Sequence, residues 1–466
     1  MANKRYGVYP ELPSHGDFVS FGEEGGSQRQ WVLVGELAEY GRRHLVHFDV
    51  SKEKVISIVG RRGQGKSYTL GAIAEGLSTK VDSPISNILR NRAIILFDPL
   101  NVFQWTYVSL QESAEASAEL RAQAALRSKW DIPAIPLNVQ VWVPSGYRSP
   151  LYPSHYRDLC LGVSDFTLDD WGALTGFNVV TDVRGQYLAE LYYKVAEIGW
   201  EDLKGITHPA KPQYIIDDLV ECSLYDLDSS LGLFRDDTVR AVRQRISSYS
   251  RHPIFASLGT PLSDILRPGM LSIVLLNRLP EDLRTVFVGV LARRILANRA
   301  EASENAKDLL LNKDMSDEER QEKQLAVAKA VPKTWVIVDE IQTILPAEGK
   351  TAATDALIKL VKEGRNFGLS LVAATQQPRA VHPTVMSQTE TFFIHKLGSQ
   401  ADIDAVIGNL KCLPPTEIKD ESRSLKLHDL IRELPVGYAA VSDVSAPRAF
   451  VLQVRPRITA HGGFEA

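Results

Sequence analysis

The stretch Val55-Ile56-Ser57-Ile58-Val59-Gly60-Arg61-Arg62-Gly63-Gln64-Gly65-Lys66-Ser67 decides the fold. Its first five residues are mostly β-branched and predict a buried strand, and the next eight fit the pattern GxxxxGK[ST]. The stretch from Tyr68 to Leu77 is compatible with a helix. A strand, a glycine-rich turn and a helix in this order form a phosphate-binding loop, in which backbone N–H groups and a helix N-terminus face an anion. A tight turn that binds no nucleotide is the weaker alternative, because both flanking elements are present.

Individual roles within this loop follow from its chemistry. Lys66 would reach the β- and γ-phosphates of ATP, and the Ser67 hydroxyl would ligate Mg²⁺. The residues expected to bind the nucleotide are Gly60, Arg61, Arg62, Gly63, Gln64, Gly65, Lys66, Ser67 and Tyr68.

An acidic pair follows a second apolar run, Trp335-Val336-Ile337-Val338, at Asp339-Glu340. Ligands collect at the carboxyl ends of parallel strands. We therefore expect Asp339 to hold Mg²⁺, through water, and Glu340 to polarise the attacking water. Alone, such a pair is as often a helix N-cap; the phosphate-binding loop favours the catalytic interpretation.

Three other polar residues are candidates for the same site. Gln376 ends the apolar run that begins at Leu371, and a glutamine there can sense the γ-phosphate or orient the water, with a polar strand end hydrogen-bonded to a loop as the alternative. Arg365, shortly before that run, would add charge to the phosphoryl transition state, with a solvated surface arginine as the alternative. Asp98 ends the strand beside the loop and either caps the next turn or supports the metal from a distance.

Further apolar runs occur between segments compatible with helices, which indicates an α/β fold with a mostly parallel sheet covered on both faces. These runs are Ala93–Phe97, Val139–Val143, Leu271–Leu276, Leu369–Ala374 and Thr391–Ile394.

The predicted domain organisation has four parts. Residues 1–50 form an arm, loosely held over 1–30, with short strands at Trp31–Val34 and Leu45–Phe48 around a turn at Gly41, and are too few for a full β-barrel. Residues 51–149 and 266–466 form the core. Residues 150–265 form an inserted helical subdomain, with helices at Gln186–Ile198 and Thr238–Tyr249. Residues 301–331 form a charged, exposed helical insertion in which Ser316 begins a capping box.

Composition excludes several classes of protein. Apolar residues make up 44% and charged residues 24% of the 466 residues, as in soluble globular proteins. The 53 basic and 57 acidic residues give a net charge of −4, which argues against a surface coated with basic residues but is compatible with a basic channel inside a ring. No run is long enough to span a membrane and no signal peptide is visible, so a cytoplasmic location is expected.

Cysteine and histidine usage points to no metal centre. Cys160, Cys222 and Cys412 are too few and too far apart for a disulfide framework. The histidines, such as His382 and His395, lack the spacing of metal ligands, so positions on the surface or in the core are expected.

Taken together, these motifs resemble the HerA branch of the HerA–FtsK ring ATPases. The resemblance runs from about residue 45 to the C-terminus. The matching segments are 60–67, Phe97-Asp98-Pro99, 337–340, Glu363-Gly364-Arg365-Asn366-Phe367-Gly368, 374–378, 382–388, Val454-Arg455-Pro456-Arg457 and His461-Gly462-Gly463.

The resemblance implies a RecA-like P-loop ATPase core in a hexameric ring, with double-stranded DNA in the pore. It gives Lys66 and Ser67 the nucleotide and metal roles, Glu340 the water-activating role, Arg365 a role like an arginine finger, and Gln376 the sensor role. The family's trans-acting arginine before the first strand corresponds here to Lys54, which lacks the bidentate fork of arginine.

Three functions are compatible with this resemblance. The leading hypothesis is a Mg²⁺-dependent ATPase that translocates double-stranded DNA beside a partner nuclease or other effector, in DNA processing or antiphage defence. The second is a nucleotide-gated hexameric scaffold that activates a partner effector enzyme. The third is a secretion or conjugation pump ATPase.

Overall fold

The computed structural model describes residues 4–14, 16–22, 29–40, 43–79, 83–111, 116–227, 233–421 and 423–463. The turn predicted at Gly41 lies outside these residues.

The strands in chain order are β1 (Gly7–Tyr9), β2 (Phe18–Phe21), β3 (Trp31–Leu37), β4 (Leu45–Asp49), β5 (Val55–Val59), β6 (Ser86–Asn87), β7 (Arg92–Asp98), β8 (Val139–Pro144), β9 (Arg157–Leu159), β10 (Leu161–Gly162), β11 (Trp200–Glu201), β12 (Thr207–His208), β13 (Phe255–Ala256), β14 (Leu271–Leu275), β15 (Lys333–Val338), β16 (Leu369–Thr375), β17 (Thr391–Ile394), β18 (Glu417–Asp420), β19 (Arg423–Leu425), β20 (Tyr438–Asp443) and β21 (Phe450–Val454).

The α-helices are α1 (Lys66–Ser78), α2 (Ala118–Ser128), α3 (Leu168–Thr175), α4 (Val183–Tyr193), α5 (Ile216–Tyr225), α6 (Asp236–Ser247), α7 (Leu262–Ile265), α8 (Glu281–Leu311), α9 (Asp317–Lys329), α10 (Thr354–Phe367), α11 (Pro383–Gln388), α12 (Gln400–Ile407) and α13 (Leu427–Glu433). Short 3₁₀ turns occur at Val163–Asp165, Ile341–Thr343 and Pro378–Ala380, and a π-helical turn at Lys194–Ile198.

One large sheet organises the molecule, in the order β2-β4-β3-β21-β20-β17-β5-β16-β15-β7-β14-β8-β9. The eight strands from β17 to β9 are parallel to one another. Strands β20, β21, β3 and β4 continue the sheet in antiparallel pairs. The predicted α/β fold with a mostly parallel sheet is confirmed.

Both faces of the parallel strands are buried, which explains their continuous apolar sequences. On β15, Val336 and Val338 enter the core that includes α8 and α10. Trp335 and Ile337 of the same strand enter the opposite core, which includes α1. Because successive side chains alternate between faces, each parallel strand joins the two helical layers.

The prediction that residues 1–30 form a loosely held arm is wrong for their two strands. β2 pairs with β4, and β1 pairs with β18 near the C-terminus. Phe21 stacks on Phe48 with ring centroids 4.7 Å apart. The many Gly, Ser and charged residues of the segment predicted a loose arm, but β2 is a short strand with alternating burial in which Val19 and Phe21 are buried.

The insertions look different from the predicted division. Residue 301 falls inside the continuous helix α8, which turns back through α9. Ser316 caps α9 by accepting the N–H of Glu319, which is one of the two bonds of the predicted capping box. Segment 150–265 contains helices α3 to α7, but it also supplies β9 to the edge of the main sheet. The four-part division stays a prediction.

Among the described residues, no helix is long and apolar enough to cross a membrane.

Candidate functional site

The phosphate-binding loop joins β5 to α1, as predicted. Gly63 and Gly65 have φ values of 74° and 108°, a region that glycine enters at little cost. Gly65 is the N-cap of α1 and provides no side-chain capping bond. The first-turn N–H groups of α1 are therefore available to an anion, as a phosphate-binding loop requires. Arg61, Arg62 and Gly63 are exposed, whereas Lys66 is buried.

His395 forms the floor of this loop. A Cβ on Gly60 would lie 2.6 Å from the Cβ of His395, so the loop requires glycine there. The Nδ1 atom of His395 donates to the Tyr438 carbonyl at 2.8 Å, and its Nε2 accepts from the Thr69 hydroxyl at 2.8 Å. Burial lowers the pKa of His395 to about 4, so the ring is neutral. His395 is thus a core histidine, and its role beneath the loop was not predicted; its position directly after strand Thr391–Ile394 was the available signal.

Asp339 lies at the end of β15, next to the loop. It is fully buried, and its Oδ2 accepts from the Ser67 hydroxyl at 3.4 Å. Burial, together with the nearby carboxylates of Glu340 and Asp98, raises the pKa of Asp339 to about 7. Concentrated negative charge in a buried position favours binding of a cation.

Glu340 is held in a left-handed backbone conformation, with φ 48° and ψ 49°. Such a conformation costs a non-glycine residue about 1–3 kcal/mol and is typical of functional positions. The Glu340 N–H donates to Oδ1 of Asp339 at 3.0 Å, and the Glu340 carbonyl accepts from the Thr343 hydroxyl at 2.9 Å. These bonds fix the backbone so that the carboxylate points toward Lys66, whose Nζ is 3.9 Å from Oε1.

Two glutamines hold the carboxylate of Glu340. Gln376 Nε2 donates to Oε1 at 2.5 Å, so the predicted sensor residue lies in the site. Gln342 Nε2 donates to Oε2 at 2.7 Å. Sequence reasoning missed Gln342, although its position two residues after Glu340 was a signal.

The site fits Mg²⁺. Mg²⁺ in nucleotide sites is usually bound by one or two protein oxygens, with substrate phosphates and waters completing the shell. Ser67 and Asp339 provide two such oxygens. In the described part of the chain, no group of three or more His, Cys, Asp or Glu residues is arranged to hold a metal, so an all-protein cage is absent there.

Asp98 acts as a cap for the turn that follows β7. Its carboxylate accepts the N–H groups of Leu100, Val102 and Phe103. Burial raises the pKa of Asp98 to about 6, although these bonds oppose the change. The turn-capping alternative is the one that the geometry shows.

Three residues singled out from the sequence lie away from this constellation. The Tyr68 hydroxyl accepts from the Arg457 N–H at 2.8 Å and so faces the C-terminal segment. Arg365 is exposed and pairs with Glu390 at 3.0 Å, at the amino end of β16. Gln376 follows the other end of this seven-residue strand, so roughly 20 Å separates Arg365 from the loop of the same chain. The Lys54 side chain is buried, with its ammonium 5.9 Å from the centroid of the Phe48 ring.

The C-terminal motif is pinned to the helix of the loop. Glu75 of α1 is fully buried and binds Arg455 Nη1 at 2.9 Å and Arg457 Nε at 2.5 Å. Although burial alone would raise it, the two guanidinium groups hold the pKa of Glu75 below its usual value. A Cβ on Gly71 would lie 2.0 Å from Arg457 Nη1, so α1 needs a glycine to admit this arginine.

Comparison with known proteins identifies relatives of the chain. The family model described as "Helicase HerA, central domain" matches residues 32–295. The chain is 30% identical over 379 residues to the "Probable DNA double-strand break repair helicase HerA" of Methanocaldococcus jannaschii, covering 77% of this chain and 65% of that protein. It is 25% identical over 180 residues to the "DNA double-strand break repair helicase HerA" of Pyrococcus furiosus, covering 37% of this chain and 32% of that protein. The chain thus spans less than two thirds of either relative.

Among solved structures, the chain aligns with VirB4 of Thermoanaerobacter pseudethanolicus with a TM-score of 0.49, 12% identity, and coverage of 93% of this chain and 98% of that one. The plasmid coupling protein TrwB in complex with ADP and Mg²⁺ gives a TM-score of 0.46, 14% identity, and coverage of 88% and 87%.

Proposed function

The chain belongs to the HerA helicase central-domain family, and from this premise we propose that it is a Mg²⁺-dependent ATPase that translocates double-stranded DNA. One observation supports the ATPase activity above all others. Lys66, Ser67, Asp339, Glu340 and Gln376 come together at the carboxyl edge of the parallel sheet, joined by contacts of 2.5–3.9 Å.

Each of these residues has a distinct part in the proposed hydrolysis. The N–H groups of the loop and the ammonium of Lys66 bind the phosphates. Glu340 orients the attacking water and accepts its proton. Gln376, which binds Glu340 in this structure, turns to the γ-phosphate when nucleotide is present. Ser67 and Asp339 would hold Mg²⁺, which would supply positive charge to the phosphate oxygens.

We further propose that the active assembly is a ring of copies, with six as the expected number. Arg365 supports this proposal, because it is exposed and lies at the amino end of β16, roughly 20 Å from the loop of its own chain. In a ring, Arg365 would add positive charge to the site of the neighbouring copy. Nucleotide would then bind between copies, and hydrolysis would change the interface and move the segments that contact DNA in the pore.

The test is ATP hydrolysis by the purified chain, with and without duplex DNA, over a series of salt concentrations. We expect Mg²⁺-dependent hydrolysis that duplex DNA stimulates, and a stimulation that weakens steeply with salt because phosphate contacts release counterions. Hydrolysis unaffected by DNA at low salt would contradict the translocase, and no hydrolysis in any condition would contradict the ATPase.

A second candidate is a nucleotide-gated scaffold that activates a partner effector, such as a nuclease in DNA repair or antiphage defence. The hairpin of α8 and α9 favours it, because Leu310 and Leu311 near its tip are 80% and 79% exposed. Glu340→Gln separates the two candidates once an effector is in hand. A scaffold keeps effector activation in this variant, whereas a motor loses it.

A further inference from the structure

The carboxylate of Glu340 is bound by two glutamine side chains that differ in how firmly they are held. Gln376 comes from the end of β16, and Gln342 from the 3₁₀ turn Ile341–Thr343 after β15. Each donates to a different oxygen, Gln376 to Oε1 and Gln342 to Oε2. The two oxygens of the proposed base are therefore not equivalent.

Both the oxygen and the nitrogen of the Gln342 side-chain amide are hydrogen-bonded. Its Oε1 accepts from the Thr375 hydroxyl at 2.7 Å, while its Nε2 binds Glu340. The Thr375 hydroxyl oxygen in turn accepts the N–H of Gln377 at 3.0 Å, and Thr375 is buried. This chain of donors and acceptors sets the orientation of the amide, since reversing it would place the amide oxygen against Oε2 of Glu340, with two acceptors facing each other.

Gln376 is anchored more weakly. Both glutamines are partly exposed, but among the described residues the side chain of Gln376 binds only Oε1 of Glu340, whereas Gln342 makes two bonds. Oε1 is also the oxygen that faces Lys66, at 3.9 Å from Nζ. Oε1, the oxygen nearer the phosphate-binding loop, is thus bound by the less firmly held amide of Gln376. Oε2 is bound by the firmly held amide of Gln342.

We propose that Gln342 is a positioning residue for the hydrolysis, which keeps Oε2 of Glu340 in place when Gln376 releases Oε1 to the attacking water. This inference rests on the proposed function. Water adds its oxygen to the γ-phosphorus, and the bond from phosphorus to the bridging oxygen breaks with its electron pair left on ADP. Oε1 takes the proton of the water and then returns it to solvent. Without Gln342, the carboxylate would keep its charge but lose its fixed direction.

The test compares Gln342→Met, which retains length but cannot donate, with Gln377→Met as a matched control. Gln377 carries the same amide and is exposed. We measure steady-state ATP hydrolysis and the affinity for the non-hydrolysable analogue AMPPNP. In Gln342→Met, kcat should fall by roughly 10–100-fold, because the orientation of the base is lost. The Kd for AMPPNP should change less than about twofold, since the loop and Lys66 are intact. Gln377→Met should match the wild type in both quantities.

A second variant acts at a distance from Glu340. Thr375→Val removes the hydroxyl that holds Gln342, keeps a side chain of similar shape, and serves if Gln342→Met fails to fold. Thr375→Val should lower kcat without weakening AMPPNP binding. A third variant, Gln342→His, retains an N–H donor and should recover part of the kcat that Gln342→Met loses.

Either of two results would overturn the inference: wild-type kcat in Gln342→Met or Thr375→Val, or a fall in kcat matched by an equal loss of AMPPNP affinity. A wild-type protein that hydrolyses no ATP would instead remove the proposed function, and this inference with it.

Discussion

Replacing Glu75 with glutamine tests how the C-terminal segment supports the phosphate-binding helix. Glu75 accepts from Arg455 Nη1, Arg457 Nε, the N–H groups of Ile458 and Thr459, and the Thr459 hydroxyl. Glutamine has nearly the same shape but no charge, and its NH₂ group would face some of these donors. Two guanidinium groups would then remain buried without their counter-ion.

The expected loss of unfolding free energy follows from the two buried guanidinium charges that have lost their counter-ion. Removing one partner of a buried ion pair costs about 3–5 kcal/mol. Because the pKa of Glu75 is lowered, its stabilising effect is complete above the ordinary value of 4.5 and is lost only as the pH falls below it. We therefore expect Glu75→Gln to lose about 3–5 kcal/mol of unfolding free energy at pH 7.

The assay combines urea unfolding, followed by tryptophan fluorescence, with limited trypsin digestion. In the wild type the bond after Arg457 should resist trypsin, because Arg457 and Ile458 are buried. In Glu75→Gln it should be cut early, releasing residues 458–466. Asp355→Asn is the control: Asp355 pairs with Lys350 at the surface, with side chains 71% and 76% exposed, so its cost should be at most about 1 kcal/mol. Unfolding of Glu75→Gln within about 1 kcal/mol of the wild type, with the bond after Arg457 still protected, would contradict the stabilising role of the Glu75 ion pairs.

Two further predictions concern the same region. A change from Gly to Ala inside a helix normally stabilises it by about 1 kcal/mol. For Gly71→Ala we instead expect a loss of stability, measured by urea unfolding, because the new Cβ would lie 2.0 Å from Arg457 Nη1. A gain in stability would show that Arg457 moves freely. His395, with its pKa lowered to about 4 from 6.5 by burial, should stay neutral in NMR titration from pH 8 to pH 5. As the pH falls, the unfolded chain takes up the proton before the folded one does. The stability contributed by neutral His395 is therefore complete above pH 6.5 and falls by about 2 kcal/mol by pH 5, a loss that the wild type should show relative to His395→Asn. An imidazole that titrates near 6.5 would contradict the structure.

The parts predicted from the sequence are those set by local pattern. The strands Val55–Val59 and Thr391–Ile394 have the predicted bounds, because strands buried on both faces read as continuous apolar runs. The positions of Lys66 and Ser67 followed from the pattern GxxxxGK[ST]. That of Glu340 followed from the rule that ligands collect at the carboxyl ends of parallel strands.

The parts that were missed depend on contacts between distant segments. The positions of Gln342 after Glu340 and of His395 after strand Thr391–Ile394 were the only local signals, because the role of Gln342 depends on Thr375 and that of His395 on Gly60 and Tyr438. Strand β16 runs between Arg365 and Gln376 and places them at opposite ends of the parallel sheet, although only ten residues separate them in sequence. The first thirty residues were misjudged because their pairing partners lie elsewhere in the chain, at β4 and β18.

The role of Glu340 as the base is tested by phosphate release from Mg²⁺-ATP by the wild type and by Glu340→Gln, with AMPPNP affinity measured on the same samples. The wild type should release phosphate over many turnovers. The variant should bind AMPPNP as tightly, but its turnover should be lower by about 100-fold or more, because only the group that accepts the proton of water has been changed. Equal turnover in the two proteins would contradict the assignment of Glu340 as the base at the end of β15.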